Sequence, residues 1–140
     1  MPAPTASPEV TDLPCPCGWG EPLAGCCGRY LTGGGGDAPT AEALMRSRYA
    51  AFVLGDVEHL LRSWHPATRP GELDLDPDVQ WRRLVVLGTG RGSPFDDTGT
   101  VEFEAHYRRA GRRGVQHEDS AFSRVGGRWV YEGPVGNRVA

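Results

Sequence analysis

No cysteine follows residue 27 in this chain of 140 residues, and the four it has, Cys15, Cys17, Cys26 and Cys27, fall in one short stretch. A disulfide framework needs cysteines in an oxidising compartment and usually a secretory leader. Residues 1 to 14 are instead rich in Pro, Ala, Ser and Thr and hold no apolar segment, so neither is expected. Long apolar runs are also missing: nothing approaches the roughly 20 residues of a membrane helix, so no membrane partner is expected. A basic excess is missing as well. Fifteen Lys and Arg against 18 Asp and Glu leave a net charge of -3, which argues against a general nucleic-acid binder. The Arg108, Arg109, Arg112 and Arg113 group reads as a solvated hairpin tip. Absent too are a Cys-x-x-Cys redox pair, a phosphate-binding loop and a recognisable nucleophile. These absences leave a cytoplasmic protein of a reducing compartment.

What is present is a ligand set for a metal. Cys15-Pro16-Cys17, eight residues, then Cys26-Cys27 can converge on one tetrahedral ion at about 2.3 Å per bond. Pro16 fixes the backbone between the first two thiols, and the neighbouring glycines permit the turns that aim amides at thiolates. Zinc is the expected cofactor. Iron stays open, because four thiolates suit it too.

The rest of the chain divides by period. Gly33 to Gly36 cannot hold regular structure and read as a flexible joint. Thr40 offers a cap for a helix whose apolar residues Ala41, Leu44, Met45, Tyr49, Phe52 and Val53 recur at helical spacing up to Gly55. Asp56 caps a shorter helix that ends near Trp64-His65, before Pro66. From Val79 the period becomes two, with expected strands over 79–87, 101–108, 115–125 and 128–131 and a long turn over 88–99. Helices first and antiparallel strands later make an α+β domain of 39–133. Around it the expected arrangement is a disordered segment over 1–12, a knuckle over 13–32, a glycine linker over 33–38 and a tail over 134–140.

Cys15-Pro16-Cys17-Gly18, Cys26-Cys27, Leu44-Met45-Arg46-Ser47-Arg48-Tyr49, Ala51-Phe52 and Trp64-His65-Pro66, in that order, resemble the bacterial YchJ family over most of the chain. The cysteine segment is similar to the SEC-C motif found at the tail of the SecA preprotein translocase, where such a set binds zinc. The resemblance implies a cone-shaped domain of the nuclear transport factor 2-like class, with helices packed on a curved antiparallel sheet. Many relatives carry a second SEC-C motif near the C-terminus; this chain ends Gly136-Asn137-Arg138-Val139-Ala140, so one knuckle is expected. It also has Glu21-Pro22-Leu23-Ala24-Gly25 where translocase-type motifs place lysines.

On a helical wheel Arg48 falls inside the apolar arc of Ala41, Leu44, Met45 and Phe52. A guanidinium there needs a partner, and Glu118, which shares a strand face with Ser120, is the expected one. Arg48, Tyr49, Trp64, His65, Glu118 and Ser120 are therefore the candidate pocket residues, with His65 as an acid or base, or as a cap on the helix end. His106 and His117 read as surface residues, and His59 shows no partner. The expected function is a zinc-stabilised protein-interaction or ligand-binding adaptor, taking a protein at the knuckle and a small molecule in the cone. The alternative is a small-molecule isomerase or lyase using the cone's pocket.

Overall fold

Thr40 is extended, and its Oγ1 accepts a hydrogen bond from the Ala43 N–H at 3.0 Å, so helix α1 (Ala41–Leu54) begins there. The helix stops at Gly55, whose φ of 77° is left-handed. Asp56 at once caps helix α2 (Val57–Arg62) by accepting from the His59 N–H. The second helix closes at Ser63, whose hydroxyl turns back to donate to the His59 carbonyl. These elements come from a computed structural model that describes residues 13–135. The segment expected over 1–12 and most of the tail expected over 134–140 lie outside the described residues.

Four strands follow in sequence order as an antiparallel meander: β1 (Val79–Arg91), β2 (Thr98–Arg109), β3 (Arg112–Val125) and β4 (Arg128–Pro134). Alternation aims Val101, Phe103 and Ala105 inward, where they meet Leu44, Met45 and Tyr49 of α1, with Phe122 and Trp129 completing the core. The β2–β3 hairpin turns on Ala110 and Gly111, both at positive φ, which is the two-residue turn matching strand twist. All four strands run longer than the sequence suggests, and β1 shows why. Gly88, Thr89 and Gly90 stay paired with β2, so β1 reaches Arg91 and the turn shrinks to residues 92–97. An edge strand tolerates these glycines because only one ladder depends on them, and a Cβ at Gly90 would stand 2.7 Å from Thr100 Oγ1.

The knuckle is not a free appendage. Its cysteines, Leu23 and Leu31 share a second apolar cluster with Ala50, Ala51 and Leu60 of the two helices. The glycine run expected to be a flexible joint is folded back on the knuckle: the Gly34 N–H donates to Leu31 O at 2.8 Å and the Gly36 N–H to Arg29 O at 2.9 Å. Close approach, not mobility, is what these glycines supply. A Cβ at Gly34 would stand 2.2 Å from Gly28 O and 2.6 Å from Arg29 O. Just before the run, Thr32 donates to Asp56 from both backbone and hydroxyl, tying the knuckle to the α2 cap. The fold is α+β, with helices on one face of an antiparallel sheet.

Candidate functional site

Two short 3-10 turns, Leu23–Gly25 and Cys27–Arg29, bring Cys26 and Cys27 back beside Cys15 and Cys17. The four Sγ atoms lie within 4.8 Å of one another, and all four residues are buried. Cys17 and Cys26 sulfurs are 3.6 Å apart, close to the roughly 3.8 Å edge of a zinc tetrahedron with 2.3 Å bonds. The thiols are free. Packed together, they do not share protons evenly. Hydrogen bonds from Cys17 and Cys27 pull the Cys15 thiol down to about 2, burial and Cys17 push Cys26 up to about 12, and Cys27 is pushed up by its bonds to Cys15 and Cys17. Four buried sulfurs cannot all ionise side by side without a cation, so the donor set fits a metal ion.

The Leu44–Tyr49 stretch ties this cluster to the cone residue by residue. Leu44 and Met45 enter the core. Arg46 donates to the Cys17 carbonyl at 2.9 Å, holds Glu42 at 2.9 Å, and lays its guanidinium 4.4 Å from the Trp19 ring centre. Ser47 meets the Nε2 of His59 at 2.9 Å. His59 therefore has partners that its sequence context hides. Arg62 donates to its Nδ1 at 3.0 Å, which assigns the proton to Nε2 and the donor role toward Ser47. Burial, with Arg62 and Arg48 close by, pushes its pKa down to about 4.

Arg48 is buried, as its place on the wheel requires, yet no direct ion pair joins it to Glu118. Its Nη1 donates instead to Leu60 O at 2.8 Å and Ser63 Oγ at 2.6 Å, and its charge lies 5.0 Å from the Trp64 ring centre and 4.5 Å from that of Tyr131. The end of α2 supplies the acceptors that the wheel argument assigned to a carboxylate, and burial lowers the Arg48 pKa to about 10. Tyr131 links the two groups: its ring underlies Arg48 and its hydroxyl donates to Glu118 Oε2 at 2.6 Å. Ser120 Oγ donates to the same oxygen at 2.5 Å. Burial and the Glu118 contact raise the Tyr131 pKa, and burial raises that of Tyr49 to about 12.

These groups surround a cavity of about 170 Å³ between α1 and the inner face of the sheet. Of the candidate residues, Arg48, Tyr49, Trp64, Glu118 and Ser120 line it. His65 does not. Its N–H pairs with Tyr131 O at 2.7 Å and its Nδ1 accepts from the Ala67 N–H at 3.0 Å, which holds the ring on the turn before the strands. Sequence reasoning missed Trp81, Phe103, Gln116 and Tyr131, which also line the cavity. Their inward strand parity was the available signal. His106 and His117 stand on the opposite face, each against a glutamate, Glu104 and Glu102.

Residues 40–134 match the family model described as YchJ, middle NTF2-like domain. The chain belongs to the YchJ family. A UPF0225 protein of Streptomyces coelicolor is 58% identical over 118 residues, covering 84% of this chain and 91% of the relative. Another, from Chromobacterium violaceum, is 52% identical over 120 residues, covering 84% and 88%. Among solved structures, the solution structure of a SEC-C motif containing protein from Rhodopseudomonas palustris superposes with a TM-score of 0.76 at 34% identity, over 91% of this chain and all of that one. A crystal structure of a SEC-C motif containing protein from Psychrobacter arcticus gives 0.71 at 27% identity, over 90% and 84%. In this YchJ chain the SEC-C cysteines are positioned to hold a metal ion, and among the described residues no helix is long and apolar enough to cross a membrane.

Proposed function

We infer that this YchJ protein is a zinc-stabilised small-ligand binder: the knuckle is structural, and the cone cavity receives the ligand. The observation that carries the reading is a polar site inside an apolar room. The Glu118 carboxylate takes both protein hydroxyls on Oε2, which leaves Oε1 for a ligand donor, while Trp64, Trp81 and Phe103 supply the walls. Arg48 and Glu118 line the same space with opposite charges, so a neutral ligand enters without unbalancing them, whereas a charged one would bury an unpaired charge. Size sets the scale: an apolar cavity of about 150 Å³ accepts benzene. The ligand class is thus a small, mainly apolar molecule with one hydroxyl or amide donor.

Zinc suits the knuckle because four buried thiolates leave no open coordination position, as in structural sites. The knuckle braces α1, which carries Arg48 and Tyr49, so the metal supports the cavity without touching it. The isomerase or lyase reading is weaker. His65 stands outside the cavity, and Tyr49 and Tyr131 hold their protons well above neutral pH, so neither tyrosine supplies a second base beside Glu118.

Calorimetric titration with phenol as the probe tests the binding reading. Phenol is expected to bind with a Kd of about 1 mM or tighter, benzoate far more weakly, and Glu118→Gln is expected to weaken phenol by about tenfold through loss of the charged acceptor. Equal affinity for phenol and benzoate, or no effect of Glu118→Gln, would count against it.

A further inference from the structure

On the far side of the sheet from the cavity, β1, β2 and β3 form a groove of about 610 Å³ lined by Arg82, Arg83, Arg108 and Arg113, with His106 at its edge. Parity separates the two sites. On β3 the cavity takes Gln116, Glu118 and Ser120, while the charged lining of the groove takes Arg113; on β2 the cavity takes Phe103 and Ala105, while the groove takes His106 and Arg108, with Tyr107 and Gly114 of the cavity's parity also bordering it. Arg82 and Arg83 are neighbours in sequence, and a regular strand would send them to opposite faces. The register shift between Trp81 and Arg83 lets both reach the groove.

The charge arrangement is costly as it stands. Arg108 lies directly opposite Arg113, and Arg109 directly opposite Arg112; like charges so placed repel across a strand pair. Asp76 relieves the second pair by meeting Arg109 at 2.8 Å, outside the groove. Among the described residues no carboxylate meets Arg82, Arg83, Arg108 or Arg113. A chain of net charge -3 therefore gathers four unpaired guanidiniums in one concavity.

We propose that this groove binds a small molecule carrying a chain of two or three phosphates. Guanidinium forks match phosphate oxygens, and an anion between Arg108 and Arg113 turns their repulsion into shared attraction. Spacing selects more than one phosphate. Arg83 on β1 lies opposite His106, two residues along β2 from Arg108, and Arg113 lies on β3, so the backbones of the outer two are separated by about 10 Å or more, which suits a chain of phosphates better than a single one.

Tripolyphosphate titrated into the isotope-labelled full chain, with metal content checked afterwards, tests this. The expected result is amide shifts confined to residues 82–83 and 106–115, tighter binding than orthophosphate, and a rise in the thermal midpoint. Arg108→Ala combined with Arg113→Ala is expected to weaken tripolyphosphate by at least about tenfold. Arg112→Ala, outside the groove, is expected to change it by less than about twofold. Arg83→Gln on the edge strand gives an independent arm and is expected to weaken it severalfold. The double variant should melt no lower than the wild type, since it loses only repulsion. Unchanged affinity in the double variant and in Arg83→Gln, equal binding of orthophosphate, or displacement by a single-stranded oligonucleotide that binds more tightly would each overturn the proposal.

Discussion

His59 shows how a single residue's surroundings become a property of the whole chain. Its ring is buried between Ser47 and Arg62 and is held neutral, with its pKa pushed down to about 4. In the unfolded chain the ordinary value is about 6.5, so the unfolded state takes up a proton first as pH falls. Stability is therefore fully present above pH 6.5 and is lost progressively between 6.5 and 4, by on the order of 2–3 kcal/mol. Denaturant melts at pH 7 and pH 4.5 check this. His59→Gln, which keeps a donor and an acceptor but cannot charge, should show a smaller drop than wild type, and an equal drop would place the acid sensitivity elsewhere. Much at this scale was legible. Arg48's burial followed from its place on the wheel, because helical period fixes which side chains face the core. Its partners did not follow, because carbonyl and hydroxyl acceptors at the end of another helix leave no mark in the sequence around Arg48. His59 was missed for the same reason: Ser47 is twelve residues away, and only the packing of α2 on α1 joins them.

At the scale of elements, the glycine run carries the sharpest test. Gly34 is pressed against the carbonyls of Gly28 and Arg29, so Gly34→Ala must reopen the turn that returns the knuckle to the helices. The expected cost is about 2 kcal/mol or more, against less than about 0.5 kcal/mol for Gly25→Ala, whose added Cβ meets nothing within 4 Å. Thermal melts of the two variants decide between a folded return and a slack tether, which would tolerate both. Four consecutive glycines look the same in sequence whether they serve freedom or close approach, and only neighbours distant in sequence separate the two. The approximate places of the strands and the inward parity of β2, by contrast, were readable from alternation. The length of β1 was not, since Gly88 and Gly90 read as a turn until the β2 ladder is seen to hold them.

Across the whole molecule, the cysteine cluster and the cavity are joined through α1. One face of the helix packs its Ala50 and Ala51 on the cysteine cluster, and another presents Arg48 and Tyr49 to the cavity. Stripping a metal from this cluster is expected to leave four buried thiols uncompensated and to loosen the knuckle from Arg46 and Asp56. A strong chelator is thus expected to lower the thermal midpoint by at least about 10 °C, and restored zinc to recover it. Loss of metal with an unchanged melt would show that the knuckle does not brace the cone. If the cone cavity, with Glu118 as its acceptor, is the ligand site, then phenol mapped by amide shifts on the zinc-loaded chain must find it there. The predicted result is saturable shifts centred on Gln116, Glu118 and Ser120, with little change at Cys15–Cys27 or along the arginine groove. Shifts centred on the knuckle, or none in the cavity at millimolar phenol, would contradict it.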